Sequence, residues 1–160
     1  MWKSIAVGLA LTLSPQLAVQ AQERVDAREG FERLKRLVGT WTSTVDGRSS
    51  TATYKLTGGG RVLVEDMGGM MTTYHLDGDR LVLTHFCGAG NQPRMRARKA
   101  DDRQMSFEMF DITNLTSPKS YHSTHLDIVF VSEDRVDLAY RGSTDGRVST
   151  QVFQLTRRKG

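Results

Sequence analysis

Apolar and polar residues alternate along most of the chain, and only one short segment follows a helical period. Between Arg24 and Val38, apolar residues recur at spacings of three and four, which places them on one stripe of an amphipathic helix. These residues are Phe31, Leu34, Leu37 and Val38. Gly39 is expected to end the helix, and the period then changes to two. The pattern predicts one short helix followed by strands.

Ten segments after this helix have the two-residue period of a half-buried strand. They are Thr40–Val45, Ser50–Leu56, Arg61–Asp66, Met70–Leu76, Arg80–Phe86, Arg94–Lys99, Gln104–Phe110, His122–Val131, Arg135–Arg141 and Arg147–Thr156. Turn sequences such as Asp46-Gly47 and Asp145-Gly146 separate them, and such short connections make neighbouring strands antiparallel. A meander of about ten short strands closes most simply on itself. We therefore expect an all-β, up-and-down antiparallel β-barrel with a short N-terminal helix.

The first 21 residues have the organisation of a secretory signal peptide. Lys3 supplies the positive charge, Ile5–Leu13 forms the apolar region, and Val19 and Ala21 are the small residues that signal peptidase requires. The apolar run is too short to span a membrane, so we expect no stable membrane span. We predict cleavage after Ala21, export to the periplasm or the medium, and a single domain over residues 22–160.

A resemblance to a known superfamily follows from this layout. Gly39-Thr40-Trp41, placed after a short helix and opening the first strand, resembles the Gly-x-Trp signature of the lipocalin-like (calycin) barrels. The resemblance implies that Trp41 plugs the closed end of the barrel and that a basic residue of the last strand, Arg157 or Arg158, packs across it. The chain lacks the paired cysteines of secreted lipocalins and the fuller glycine pattern of nitrobindin. The stretch Leu83–Met95 also looks like one in uncharacterised exported bacterial proteins, which implies no particular activity.

Hairpin parity indicates which side chains line the barrel. A two-residue turn between Met70–Leu76 and Arg80–Phe86 places one mainly apolar set on a single face. That set is Met70, Thr72, Tyr74, Leu76, Leu81, Leu83, His85 and Cys87. The hairpin of His122–Val131 and Arg135–Arg141 is ambiguous, because hydrophobicity and turn length favour different faces for Val136, Leu138 and Tyr140. His122 and His125 therefore have no predicted orientation.

The leading hypothesis is a non-enzymatic protein that binds a small hydrophobic or amphipathic molecule inside the barrel. An apolar cavity with a few polar groups at its mouth is typical of a ligand site, and the loop after Cys87 supplies such groups. The predicted ligand-binding residues are Met70, Thr72, Tyr74, Leu83, His85, Cys87, Asn91, Gln92, Arg94 and Met95. The predicted closure residues are Gly39, Trp41 and Arg157. No cofactor or metal is expected.

Three alternatives remain at this stage. The barrel could be an interaction domain filled by its own side chains. It could be an enzyme with His85 as acid or base and Arg94 stabilising an anion. His85 and Cys87 could also bind haem iron or a metal, although their spacing is not diagnostic. Cys87 is more typical of an inert buried thiol than of a nucleophile, because no acidic group is in place to orient His85 as its base.

Charge adds little to this picture. The 22 Lys and Arg residues exceed the 18 Asp and Glu residues by four, and the isoelectric point is about 9.5. The basic clusters Arg94–Lys99 and Arg157–Lys159 lack the interleaved aromatic residues that single-stranded nucleic acid binding requires. We therefore expect no nucleic acid partner. The single cysteine excludes an intrachain disulfide.

Overall fold

The computed structural model describes residues 26–45 and 48–159. It contains helix α1 (Ala27–Leu34), a 3-10 turn (Lys35–Leu37) and ten strands. The strands are β1 (Gly39–Val45), β2 (Arg48–Thr57), β3 (Val62–Met67), β4 (Met70–Asp77), β5 (Arg80–Phe86), β6 (Gln92–Ala100), β7 (Gln104–Thr113), β8 (His122–Ser132), β9 (Arg135–Thr144) and β10 (Arg147–Arg157). The predicted signal peptide and the Asp46-Gly47 turn lie outside the described residues.

The strands form one closed barrel in which each strand pairs with its neighbours in sequence, and β10 pairs with β1. Every pairing is antiparallel. The prediction of an all-β, up-and-down barrel of about ten strands is therefore confirmed. Several strands run further than predicted; β7 continues to Thr113 and β9 to Thr144.

Helix α1 packs against one end of the barrel and buries the apolar stripe that the sequence predicts. The Asp26 side chain caps it by accepting a hydrogen bond from the Glu29 backbone N–H at 2.9 Å. A Cβ on Gly30 would lie 3.0 Å from Leu81 Cδ2, so glycine permits the close approach of helix and barrel. Phe31 and Leu34 are buried, but Val38 is 40% exposed. The placement of Val38 on the buried stripe is wrong, because its backbone has already left the helical conformation (ψ 128°).

The register of the hairpins assigns the two faces. β4 and β5 pair Leu76 with Leu81 and Tyr74 with Leu83 across the two-residue turn Gly78-Asp79, which confirms the predicted inner face. In the ambiguous hairpin, β8 and β9 pair Phe130 with Val136. A bulge at Val131 shifts the register by one residue, so a two-residue turn coexists with aligned apolar faces.

Strands β10 and β1, which close the barrel, are paired over a short length. Within the described ranges, the two strands pair only at Trp41 with Arg157 and at Thr42 with Thr156. β10 pairs with β9 over its length from Arg147 to Thr156. The described β1–β10 pairing therefore lies at the end of the barrel that α1 covers, here called the closed end. The opposite end, which carries the β5–β6 and β7–β8 loops, is here called the mouth.

Candidate functional site

A carboxyl group lies buried in the interior of the barrel. Glu65 on β3 has only 2% of its surface exposed, and it pairs across the sheet with Tyr54 on β2 and Thr72 on β4. Thr72 in turn pairs with His85 on β5. Tyr74 and Tyr140 reach the same carboxyl group. We call Glu65, Tyr54, Thr72, Tyr74, His85 and Tyr140 the Glu65 cluster.

Two tyrosine hydroxyls donate hydrogen bonds to the carboxylate. Tyr74 lies 2.8 Å from one Glu65 oxygen, and Tyr140, from the opposite side of the barrel, lies 3.3 Å from the other. The buried Tyr54 hydroxyl also interacts with Glu65, and burial and this interaction together raise the Tyr54 pKa, but it forms no hydrogen bond of regular geometry among the described residues. Hydrogen bonds from hydroxyls replace part of the water that Glu65 loses on burial.

His85 extends the cluster toward the mouth. Its Nδ1 lies 2.9 Å from the Thr72 hydroxyl, and its ring lies 5.2 Å from the ring of Tyr140. Burial lowers the pKa of His85 to about 4, because the charged imidazolium is poorly solvated there. The ring is therefore neutral at pH 7 and can both donate and accept a hydrogen bond.

Burial also shifts the pKa values of the other titratable residues of the Glu65 cluster. It raises the pKa of Glu65, and the hydrogen bonds from the tyrosines oppose this rise without cancelling it. Burial and the nearby Glu65 charge raise the pKa values of Tyr54, Tyr74 and Tyr140. Within the described part of the chain, no lysine or arginine forms an ion pair with Glu65. Among the described residues, the cluster thus holds a buried acid without a cationic partner, since burial keeps His85 neutral.

Apolar side chains surround the cluster. Tyr74 contacts Phe107 edge-on at 5.9 Å between ring centroids, and Tyr140 contacts Phe153 at 6.3 Å. Leu83 pairs with Met95 on the same inner face. The predicted lining residues Thr72, Tyr74, Leu83 and Met95 are each at most 1% exposed. These four side chains are therefore almost fully shielded from solvent.

The predicted mouth residues lie around a loop that crosses the barrel end. The Asn91 side chain is buried and donates a hydrogen bond to the Tyr121 carbonyl at 2.7 Å. The ring of Tyr121 lies against Gly142 on β9, only 2.4 Å from where a Cβ would stand. Asn114 donates to the Gly90 carbonyl at 2.6 Å, which ties the β7–β8 loop to the β5–β6 loop. Tyr121 thus packs into the mouth beside the predicted site.

The remaining predicted ligand-binding residues are divided between the mouth and the surface. Met70 and Cys87 are half-buried at the mouth, where the Met70 side chain lies close to Gly88. Gln92 is half-buried and accepts a hydrogen bond from the Thr113 hydroxyl. Arg94 is exposed on the outer surface, where it pairs with Asp111 at 2.9 Å and lies over the Phe110 ring. Arg94 therefore does not join the other predicted residues.

The histidines left unoriented by the sequence face outward. His125 pairs with Glu108 and Arg141, which lie on the outer face, and His122 pairs with Ser143. Neither joins His85 and Cys87. Within residues 26–45 and 48–159, no group of three His, Cys, Asp or Glu side chains is arranged to hold a metal ion.

At the closed end, Arg157 rather than Arg158 packs over Trp41. The guanidinium lies 4.2 Å from the centre of the Trp41 ring. It also donates hydrogen bonds to the carbonyls of Val38, Arg36 and Glu133 at 2.7–3.2 Å. A recess of about 490 Å³ opens beneath Trp41, and none of the predicted ligand-binding residues lines it.

Glu65, Tyr54, Tyr140 and Tyr121 were not singled out by the sequence analysis. The alternation Leu63, Glu65, Met67 carried a signal, because it places a charged residue on an otherwise apolar face. Tyr140 was ambiguous because its face depended on the bulge at Val131. Tyr121 lies in an irregular loop, for which periodicity gives no orientation.

The sequence matches no model of a known protein family, and no curated protein matches it at a significant level. In the described part of the chain, no helix has the length and apolar character needed to cross a membrane.

Proposed function

We propose that this chain is an exported, non-enzymatic binding protein of the lipocalin-like type, which holds a small amphipathic molecule inside its barrel. In this proposal the chain is cleaved after Ala21 and acts outside the cytoplasm. One observation carries the binding function: Glu65 is buried in the barrel without an ion pair among the described residues. The tyrosine hydroxyls compensate the burial of this acid only in part, so a further donor or a cation would lower the free energy of its buried charge.

The chemistry of the cluster indicates the kind of ligand. Glu65 would accept hydrogen bonds from a protonated amine or another strong donor, and the Tyr54 hydroxyl, which forms no hydrogen bond of regular geometry among the described residues, would add a further contact. The aromatic and aliphatic side chains around it would cover an apolar body. The ligand proposed is therefore an amphipathic molecule with a cationic or hydrogen-bond-donating end.

Entry would pass through the mouth. Met70 and Cys87 lie half-buried there, and Tyr121 packs across the same end. Because the inner side chains are closely packed, a ligand must displace some of them. Met95 is suited to this, since an unbranched thioether side chain repacks easily.

A matched pair of amphiphiles tests the proposal. Dodecylamine and dodecanol share an apolar chain, but only the amine is cationic at pH 7. Glu65→Gln keeps the size of the side chain and removes its ability to carry a negative charge. We expect this variant to bind dodecylamine at least tenfold more weakly and dodecanol unchanged, as measured by isothermal titration calorimetry. Glu108→Gln, which alters a carboxylate paired with Arg98 on the outside, is the control.

The result also separates binding from nonspecific association. Equal loss of both amphiphiles in Glu65→Gln, or the same loss in Glu108→Gln, would contradict a role for the buried acid. Native mass spectrometry of protein taken from a bacterial periplasm gives an independent measurement. A mass excess that disappears on denaturation is expected for a bound molecule.

A second candidate function rests on the packing itself. Because Thr72, Tyr74, Leu83 and Met95 have no access to water, the barrel could be an interaction domain filled by its own side chains. Leu83→Trp distinguishes the two functions. A binding barrel should lose ligand uptake while its strand circular dichroism persists. A filled barrel should show no uptake before the substitution and should be destabilised by about 1–3 kcal/mol through overpacking.

A further inference from the structure

One long strand edge of the barrel has no partner strand among the described residues. Within the described ranges, β10 meets β1 only at Trp41–Arg157 and Thr42–Thr156. From Arg147 to Leu155, β10 is bonded to β9 on one side, and no pairing with β1 is present on the other. Val148 is 72% exposed and Val152 is 48% exposed. This segment is called the free edge below.

The backbone orientation of the free edge follows from its neighbours. The Arg158 N–H donates to the Thr40 carbonyl on the β1 side, whereas the Arg157 N–H donates to the Asp134 carbonyl on the β9 side. Backbone groups of successive strand residues alternate between the two sides. Val148, Thr150 and Val152 therefore direct their N–H and C=O groups away from β9, toward solvent.

The free edge also lacks the usual protection against pairing. Exposed edge strands are normally interrupted by lysine, proline or a bulge. Apart from Arg147 at its start, the free edge contains no charged residue and no proline over the eight residues Val148–Leu155, and β10 pairs with β9 without a bulge. An unprotected edge of this length is a template for another strand.

We propose that the free edge is a homodimer interface, in which two copies pair their β10 strands antiparallel about a two-fold axis at Thr150. In this register Thr150 faces Thr150 of the second copy, and Val148 faces Val152 of the second copy on both sides of the axis. The apolar residues that stand exposed in one copy then cover each other. All three pairs are of the hydrogen-bonded kind, because these residues direct their backbone groups outward, which gives about six new N–H···O bonds.

The sequence of the edge favours a second copy over an unrelated peptide. The order Val148-Ser149-Thr150-Gln151-Val152 reads nearly the same from either end, as a self-complementary two-fold contact requires. Valine pairs and threonine pairs are favourable across antiparallel strands. Arg147 lies opposite Phe153 of the second copy in this register, so no like charges meet. A strand contact of this size is smaller than a standard permanent interface, so the dimer should dissociate on dilution.

Sedimentation velocity over micromolar to millimolar protein concentration tests the proposal. The wild-type protein should show a monomer–dimer equilibrium. Val152→Lys should raise the dissociation constant at least tenfold. Val131→Lys, at a position on β8 that is 51% exposed, should leave it unchanged. Thr150→Pro should also abolish the dimer without unfolding the protein, because the Thr150 N–H points away from β9 and proline is tolerated at a strand edge.

Two further measurements fix the register and exclude other occupants. In a Cys87→Ser background, Thr150→Cys should form an interchain disulfide on oxidation, whereas Ser149→Cys, away from the axis, should form much less. Backbone amides of Val148, Thr150 and Val152 should exchange rapidly with solvent in dilute samples and slowly in concentrated ones. A wild-type monomer at every concentration, or protection of these amides in dilute samples, would overturn the proposal.

Discussion

The two ends of the barrel are built on opposite principles. At the closed end, α1 buries Phe31 and Leu34, and the Trp41 indole N–H donates to the Leu37 carbonyl at 2.7 Å. The Arg157 guanidinium meets three carbonyls there. Toward the mouth, buried polar atoms of Ser43, Ser50 and Asn91 lack partners among the described residues, and the β1–β10 pairing has ended. Stabilising contacts are therefore concentrated at the closed end, and polar atoms without partners among the described residues lie toward the mouth.

The largest expected effect is a loss of stability when the packing at the closed end is disrupted. Trp41→Ala should lower the free energy of unfolding by about 3–5 kcal/mol, because it leaves a cavity under α1 and removes the surface on which Arg157 packs. Urea denaturation followed by far-ultraviolet circular dichroism measures this loss. A denaturation midpoint close to that of the wild type would contradict the central place given to Trp41.

The next largest effect arises in the buried polar cluster. His85 has a pKa of about 4 in the folded protein, against 6.5 for an unburied histidine. As the pH falls below 6.5, the unfolded chain takes up a proton before the folded one does. The free energy of unfolding should therefore fall by about 3 kcal/mol by pH 4, and His85→Gln should remove this dependence.

Glu65 makes the free energy of unfolding depend on pH in the opposite direction to His85. Its pKa is raised on folding, so its stabilising contribution is present at acidic pH and is lost as the pH rises through the folded value. Glu65→Gln should flatten the decline in stability above pH 4.5. Urea midpoints between pH 4 and pH 8 separate the two groups. His122→Gln, at a position on the outer face, should retain both slopes.

A smaller effect is expected where the β7–β8 loop crosses the mouth. Gly142→Ala would place a methyl group 2.4 Å from a Tyr121 ring carbon, so the ring must move. The cost should be about 1–3 kcal/mol, as for other overpacked sites. Tyr121→Ala removes the obstruction, and the double variant should lose much less than the sum of the two single losses. Additive losses, measured by urea denaturation, would show that Tyr121 and Gly142 are not in contact.

The smallest expected effect concerns Arg157, which packs over Trp41 at the closed end. Arg157→Lys keeps the charge but loses the planar group that covers Trp41 and reaches several carbonyls. A loss of about 1 kcal/mol is expected in the free energy of unfolding. Arg158→Lys, the exposed neighbour, should change stability little, and equal losses for the two variants would remove the distinction between them.

The regular alternation of apolar and polar residues made the fold predictable from the sequence. Ten periodic segments and their glycine-containing turns predicted the barrel, and the parity of the β4–β5 hairpin placed His85 and Tyr74 inside. The bulge at Val131 could not be predicted from the sequence. Hydrophobicity correctly indicated the aligned apolar faces, and turn length correctly indicated a two-residue turn, but in a regular hairpin the two conflict. Only an unpaired residue satisfies both.

The candidate site was only partly accessible for a related reason. Periodicity assigns a residue to a face but does not say which residues meet across the barrel. Glu65 and Tyr140 lie 75 positions apart in sequence, and only closure of the barrel brings their side chains together. Arg94 was predicted to approach the site from sequence proximity to the mouth, yet strand alternation turns it outward toward Asp111.

The meander also determines how the chain must assemble. Every strand pair except β1–β10 joins neighbours in sequence, so the hairpins can form by closing short loops. Among the described strands, the β1–β10 pairing joins the two ends of the domain, so it is the strand pairing of highest contact order. The same adjacency brings Gly39 and Arg157 side by side. A circular permutant that joins the C-terminal end of β10 to the start of α1 and opens at Gly68-Gly69 should retain the helix and all ten strands while bringing the β1–β10 contact close together in sequence.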